Sequence, residues 1–512
     1  MDGDFKTDIT RDSFNISNRL KQGKTRRFSR VLKQQGRVDL DADWNELVDI
    51  LIQQQRTALI DIIGPHAGPV DKTDTDKVPG FTIGKPSTSP KNQEKCVQVS
   101  AGHYYVDGIL CEATNCNHLV SNEKDDCPEQ YLLYLDVWER EVTALEDDAI
   151  RESALGGPDT ATRAEVVWQI RAGKSTHIAR LPVGELPKGS AKDVSNTWIK
   201  LLHNYVSAQW LARLKAYTDL SKTSTGPSVT SPLSTYRGLE NQLYRVEIHR
   251  GGKSKMKEDE KDYATFKWSR ENGSINFLVD GKISVSETIN VTLKNLGPDN
   301  SRYTLHIGDW VELIDLSLVP NETPGSLFSV EGVNTATMQV TLTIAKGQQA
   351  PTTNSAGPLL LRRWDYTPGD PKNKEQEERP LTIANDGAAI LIENHPLTLE
   401  KGVQVEFSTE TEPGKLGEVG TTIYRSGDYW LIAARTDTGK LEWPELRPHV
   451  PLPLPPQGIC HHYAPLALVT FNADGTIGDK PGAAAGTLDI IDLRRQINPG
   501  WAPIGTAVSK TS

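Results

Sequence analysis

Hydrophobic residues follow two periods along the chain. Val38 and Leu40 alternate with Asp39 and Asp41, and the spacing then changes to Trp44, Leu47, Val48, Leu51, Ala58, Leu59 and Ile62. Steps of three and four put these side chains on one stripe, so the pattern predicts a helix over residues 43–63, ended by Gly64-Pro65. Period two takes over after residue 95. VQVSAGHYYVDGILCE holds two short apolar runs about Asp107-Gly108, a dipeptide suited to the positive φ of a tight hairpin turn, and LLYLDVWEREV continues the alternation. The same pair recurs as Asp280-Gly281 after SINFLV and as Asp474-Gly475 after LALVTF. A second helical stripe, Trp198, Leu201, Leu202, Tyr205, Val206, Leu211 and Leu214, predicts a helix within residues 193–220.

These patterns predict a mainly β protein with α insertions: multidomain, antiparallel β-sandwich or barrel modules preceded by an N-terminal arm and helix. The expected division is 1–65, arm and amphipathic helix; 66–95, linker or long loop; 96–190, β module; 191–239, helical insertion and flexible joint. Residues 240–365 follow as a β-sandwich or barrel module, 366–379 as a charged loop, and 380–512 as a C-terminal β module. PLPLPP at 451–456 reads as an extended polyproline segment lying across that last module. No repeat of solenoid length is visible.

Composition narrows the function classes. With 512 residues, 37% hydrophobic and 24% charged, the chain has material for several folded cores. A net charge of −10 and a pI of about 5.7 argue against nucleic acid as a partner, because phosphate affinity comes from lysine and arginine. No segment has the run of apolar residues that a membrane span needs, and the start has no apolar leader, so synthesis in the cytosol is expected. Five cysteines, an odd number, read as reduced thiols. Residues 1–30 hold eight Lys or Arg and four Asp with scattered apolar positions, as in an arm ordered by what it lies on.

Several constellations are candidates for chemistry. Asp39, Asp41, Asp43 and Asn45 alternate as at the start of a calcium loop, but the sixth and twelfth places hold Trp44 and Ile50 where glycine and glutamate are required. The structural reading is a capping box of Asp43 with Glu46. Cys111, Cys116, His118 and Cys127 are candidate zinc ligands at spacing C-x4-C-x-H-x8-C, although one knuckle stands alone and Cys111 ends an apolar strand. In Cys460-His461-His462-Tyr463 adjacent histidines point to opposite faces of an extended chain and do not share one ion readily. Glu139 and Glu141 are carboxylates whose separation in space the sequence does not give. Trp138, Trp168, Tyr429, Trp430 and Trp443 could stack on a sugar or fill cores; both faces of TIYRSGDYWLIAA are apolar, which favours the core. Nucleophile-elbow, phosphate-loop, dinucleotide and zinc-protease motifs are missing, so no enzymatic activity and no cofactor are expected.

SRVLKQQGRVDLDADWNELVDILIQQQR resembles the amino-terminal signature of an uncharacterised protein family encoded in gene clusters for phage-tail-like contractile injection systems. The residues that carry the likeness are Gly3-Asp4-Phe5, Gln34-Gln35-Gly36-Arg37-Val38 and Asp41-Ala42-Asp43-Trp44-Asn45-Glu46. Further stretches are Tyr104-Tyr105-Val106-Asp107-Gly108, Phe266-Lys267-Trp268-Ser269-Arg270-Glu271-Asn272-Gly273, Gly427-Asp428-Tyr429-Trp430 and Cys460-His461-His462-Tyr463. The beginning is more loosely similar to phage tail and baseplate proteins, with residues between Ser17 and Arg27 lengthening the basic arm. The resemblance implies a structural, non-enzymatic subunit, baseplate-associated or in a cage around the spike. Its partners would be baseplate, spike or sheath subunits and further copies of itself in a symmetric oligomer. Arg37, Trp44, Asn45, Leu47 and Leu51 are the expected assembly residues. Assembly would take place in the cytoplasm, into a particle either released or membrane-anchored. The alternative is a receptor- or glycan-binding module of the same particle.

Overall fold

The computed structural model describes residues 28–69, 80–86, 94–114, 116–121, 129–144, 146–174, 212–218, 236–255, 263–281, 283–286, 288–297, 302–316, 324–344, 358–365, 381–412, 415–416, 423–447, 450–457, 460–472, 474–478 and 490–497. The architecture is mainly β, with several antiparallel sheets and one amino-terminal helix among these residues. The basic arm up to residue 27, the joint at 221–235 and the charged loop at 366–379 lie outside them.

Strand Glu129–Val142 is the spine of the first layer system. It pairs with Arg163–Lys174 on one side and with His462–Phe471 on the other, and His462–Phe471 in turn pairs with Ile490–Asp492. This sheet faces two smaller ones. One orders Gln496–Ile497, His66–Pro69, Gly102–Val106 and Ile109–Ala113; the other orders Ile83–Gly84, Lys95–Val99 and Cys116–Ser121. Alternate side chains such as Val97, Val99, Val106, Leu133, Leu135, Val137, Ala464 and Leu466 fill the single core between them. Early and late parts of the chain thus share one core. The linker reading gives way at its described ends, because His66, Ala67 and Phe81 are buried and His66–Pro69 is paired.

A second sandwich is nested inside the first. Its five-stranded sheet orders Ala389–Ile390, Thr265–Ser269, Gln242–Arg250, Tyr429–Arg435 and Lys440–Leu441. Opposite lie Leu397–Glu400, Val403–Glu412, Lys415–Leu416 and Ala212–Thr218. Trp430, Phe407, Phe266, Tyr244 and Leu214 meet in the core between them. Ala212–Thr218 corrects part of the helix expected within 193–220: its buried positions alternate, Ala212, Leu214 and Ala216 facing the core, while the rest of that stretch lies outside the described residues. Leu454 exchanges both backbone hydrogen bonds with Leu214, so the proline-rich segment runs beside this strand. The indoles of Trp430 and Trp443 donate to the carbonyls of Leu454 and Leu452.

Within this sandwich sits a barrel. Seven strands run in the order Asn276–Leu278, Leu359–Trp364, Trp310–Asp315, Ser326–Asn334, Gln339–Thr343, Thr288–Thr292 and Ser284–Val285. Val279 bridges Leu293, and Lys294 N–H donates to the Leu278 carbonyl, which closes the sheet on itself around Ile289, Val291, Phe328, Val340 and Leu361. Asp280-Gly281 therefore turns the chain at the barrel seam and does not form a simple hairpin.

The helix, Asp41–Ile63, begins two residues earlier than expected. Leu40 is its N-cap, with no side-chain cap bond, so the capping box of Asp43 with Glu46 is not what starts it; Asp41 and Asp43 in the first turn favour the positive end of its dipole. Gly64 at φ 95 ends it, its N–H bonding Ile60. The helix is seated on the first layer system by Arg56, which pairs with Glu139 at 2.9 Å. The Asp107-Gly108 turn also presses against it; a Cβ on Gly108 would lie 2.7 Å from Arg56 Cα, and Gly108 is at φ +79. Next in the chain, His66 is buried and its Nδ1 lies 2.9 Å from the Tyr104 hydroxyl, which accepts from Arg495 N–H at 3.0 Å. Burial, then the Arg495 charge, lowers the His66 pKa to about 4.

Two outcomes follow for stability. Gly108→Ala is expected to cost about 1–3 kcal/mol from strain at a positive-φ site, read by urea denaturation, with faster amide exchange through residues 41–63. His66 is neutral when folded and protonates more readily when unfolded, so its contribution is complete above pH 6.5 and falls with pH down to about 4. Wild type should lose about 1.4 kcal/mol per pH unit more than His66→Gln across that window; parallel curves for the two proteins would refute this.

Candidate assembly surface

The helix carries apolar residues on both sides. Its body-facing side holds Asn45, Asp49, Gln53, Arg56, Ile60 and Ile63, all half-buried, while a second set of apolar residues points to solvent. Leu40 is 43% exposed, Trp44 61%, Leu51 53% and Ile62 81%, while Ile50 is buried. Leu40, Leu51 and Ile62 recur at a spacing of eleven residues, with Trp44 and Gln55, then Leu47 and Ala58, between them. Eleven residues make close to three full turns, so the helical members of the set stay on one straight face, with Leu40 at the extended N-cap before it. An exposed tryptophan on such a stripe is unusual for a surface whose partner is water.

The expected assembly residues divide along this geometry. Trp44 and Leu51 lie on the outward face, Leu47 is half-buried at its margin, and Asn45 is on the side towards the body. Arg37 is exposed in the turn before the helix, where its N–H bonds Gln34 and Gly36 takes φ +74. The chain before that turn runs back along the helix: Lys33 pairs with Asp39, and the Ser29 carbonyl accepts from Gln54 Nε2 at 3.5 Å. Phe28 and Leu32 add to the exposed apolar area.

The zinc candidates are distributed differently. Cys111 points into the first core, and burial pushes its thiol pKa up to about 12, which disfavours the thiolate a metal requires. Cys116 is exposed and His118 half-buried, both on a strand of another sheet, and burial lowers the His118 pKa. Cys127 lies outside the described residues. Among the described residues no group of three or more His, Cys, Asp or Glu side chains is placed to hold a metal.

His461 and His462 take separate partners. The Nδ1 of His461 lies 2.6 Å from Asp136, and its ring packs on Trp138 at 4.8 Å; the Nδ1 of His462 lies 2.9 Å from Asp107. Both histidines therefore brace the start of strand His462–Phe471 against the sheet and against the Asp107-Gly108 turn on which the helix rests. Glu139, a candidate catalytic carboxylate, holds Arg56. Trp138, Trp430 and Trp443 are buried, and Trp168 donates to the Glu112 carbonyl. Sequence reasoning missed the buried charge cluster where the second sandwich meets the barrel. Lys267 Nζ lies 2.7 Å from Glu312 and 3.2 Å from Glu247, and Trp364 Nε1 donates to Glu312 at 2.8 Å. Nearby positive charge, Arg245 first, outweighs burial and keeps Glu247 below the usual carboxylate range. A lysine in a fully buried strand, Thr265–Ser269, was the available signal.

No helix among the described residues is long and apolar enough to cross a membrane. A comparison with curated proteins gives no match. Among solved structures, a crystal structure of TssK is 11% identical, with 74% of this chain and 98% of that chain covered at a TM-score of 0.18, a likeness that carries no argument about fold or role. The profile of a family of unknown function, DUF6519, matches residues 16–181 and 188–477, and the chain belongs to that family.

Proposed function

We propose that this protein is a non-enzymatic structural subunit of a phage-tail-like contractile injection system, in the baseplate or in a shell around the spike. The observation that carries the reading is the helix Asp41–Ile63, which turns Leu40, Trp44, Leu51 and Ile62 away from its own body. A chain that folds alone gains from burying such residues, at roughly 25 cal/mol per Å² of apolar area removed from water. Leaving them outside is favourable when a neighbour covers them. The motif resemblance at Gln34-Gln35-Gly36-Arg37-Val38 and Asp41-Ala42-Asp43-Trp44-Asn45-Glu46 supplies the kind of particle.

The remainder of the molecule suits a part that carries force. Its sandwiches and barrel are nested, and Glu139, His461 and His462, singled out by sequence, engage in bracing contacts. Assembly takes place in the cytoplasm, beside other baseplate, spike or sheath subunits.

Trp44→Ala with Leu51→Ala should leave unfolding free energy within about 0.5 kcal/mol of wild type per site, as for exposed positions. The doubly substituted chain should be missing from injection particles sedimented from the native cell and probed by mass spectrometry. Uptake equal to wild type would remove this face from the account.

A further inference from the structure

We propose that the outward face of helix Asp41–Ile63 receives residues 14–27 of a second copy of this chain. The inference rests on the assembly reading above and names the partner of that surface.

Charge complementarity selects the occupant. Asp41 and Asp43 stand in the first turn beside exposed Trp44, Asp39 just before them pairs with Lys33, and the helix carries a single base, Arg56, which pairs with Glu139 on the opposite side. Lys33 and Arg37 in the preceding turn leave this end of the helix acidic. Two such helices laid face to face would set acid beside acid along their flanks, without the alternating signs that hold paired helices together. Residues 14–27, FNISNRLKQGKTRR, offer the opposite. They contain Arg19, Lys21, Lys24, Arg26 and Arg27, no acid, and the apolar side chains Phe14, Ile16 and Leu20. Apolar groups flanked by bases fit a stripe of Leu40, Trp44 and Leu51 flanked by acids.

Direction selects a second copy. Ser29 lies beside Gln54 and Lys33 beside Asp39, so residues 29–39 run antiparallel to the helix. From Ser29 the backbone direction points away from Trp44 and the acidic end, towards Ile62. The segment of another copy carries no such restriction. A contact of arm on helix joins two different surfaces, leaving each copy one helix to offer and one arm to give, and such contacts close into rings or extend into filaments.

Sedimentation equilibrium on full-length chains tests the idea with two variants. The arm variant carries R19Q, K21Q, K24Q, R26Q and R27Q; the face variant carries W44A and L51A. Wild type is expected at multiples of the 56.5 kDa chain mass, moving towards the monomer as salt rises. Each variant alone is expected as a monomer with an unchanged melting temperature. An equimolar mixture is expected at twice the chain mass, because one variant supplies the helix and the other the arm. Oligomers of the arm variant alone would overturn the proposal in favour of helix on helix. A mixture that stays monomeric while wild type associates would overturn it as well. Monomeric wild type would overturn it in favour of the chain's own arm or of a different protein, leaving the assembly reading to stand or fall on particle uptake.

Discussion

The register of His462–Phe471 against Glu129–Val142 is the constraint on which the rest of the molecule depends. His461 and Asp136, held at 2.6 Å at the edge of this pairing, are 325 residues apart in the chain. Closing so long a loop costs entropy that grows only slowly with length, but it must be met before the contacts that reward it exist. The reward is large: Leu133, Leu135, Val137, Ala464, Leu466 and Val469 bury their side chains in one core once the strands align. Between Arg163–Lys174 and His462–Phe471, which both pair with Glu129–Val142, the second sandwich and the barrel within it form an insertion whose ends are held together by that sheet.

Nesting shifts the polar problem to the junctions. Where barrel meets sandwich, Lys267 is buried beside Glu247, Glu312, His249 and the Trp364 indole. A buried charge is tolerated when opposite charges and hydrogen bonds surround it, and this one is also ringed by an aromatic face at 4.5 Å. Burial and the Lys267 charge lower the His249 pKa, so the imidazole adds no further positive charge to the cluster. Such a cluster contributes orientation: Lys267 and Glu247 belong to the sandwich and Glu312 to the barrel, so moving the barrel would break the Lys267–Glu312 pair and strand buried charge on both sides.

Local chemistry was legible in the sequence, and long-range partnership was not. The Asp107-Gly108 turn, the helix with its Gly64 stop and the strand periods around Tyr104, Leu133 and Trp430 follow from propensities that act over a few residues. Asp280-Gly281 looked the same as Asp107-Gly108, yet its flanking strands sit at the barrel seam, because register depends on partners distant in the chain. The stripe containing Leu211 and Leu214 fits either period over so short a run, and pairing with Val403–Glu412 decides for strand. The helix stripe was legible from its spacing; that Trp44, Leu51 and Ile62 of it point outward is a tertiary fact, set by Arg56, Glu139 and the Gly108 turn. Of the expected assembly residues, Trp44 and Leu51 came from pattern and resemblance together, and both are exposed. The Lys267 junction was missed because its members come from separate strands.

Strand His66–Pro69 lies between Gly102–Val106 and Gln496–Ile497, antiparallel to the first and parallel to the second, and Arg495 packs over Gly64. Both the root of the helix and the last described strand are therefore anchored at one place. A pull on the helix is transmitted along the axis of this strand, where its lateral hydrogen bonds bear the tension in shear and must all yield together, whereas those of a hairpin opened from its end break in succession. The same anchorage returns some of that traction to Gln496–Ile497, so the first and last described strands brace each other mechanically.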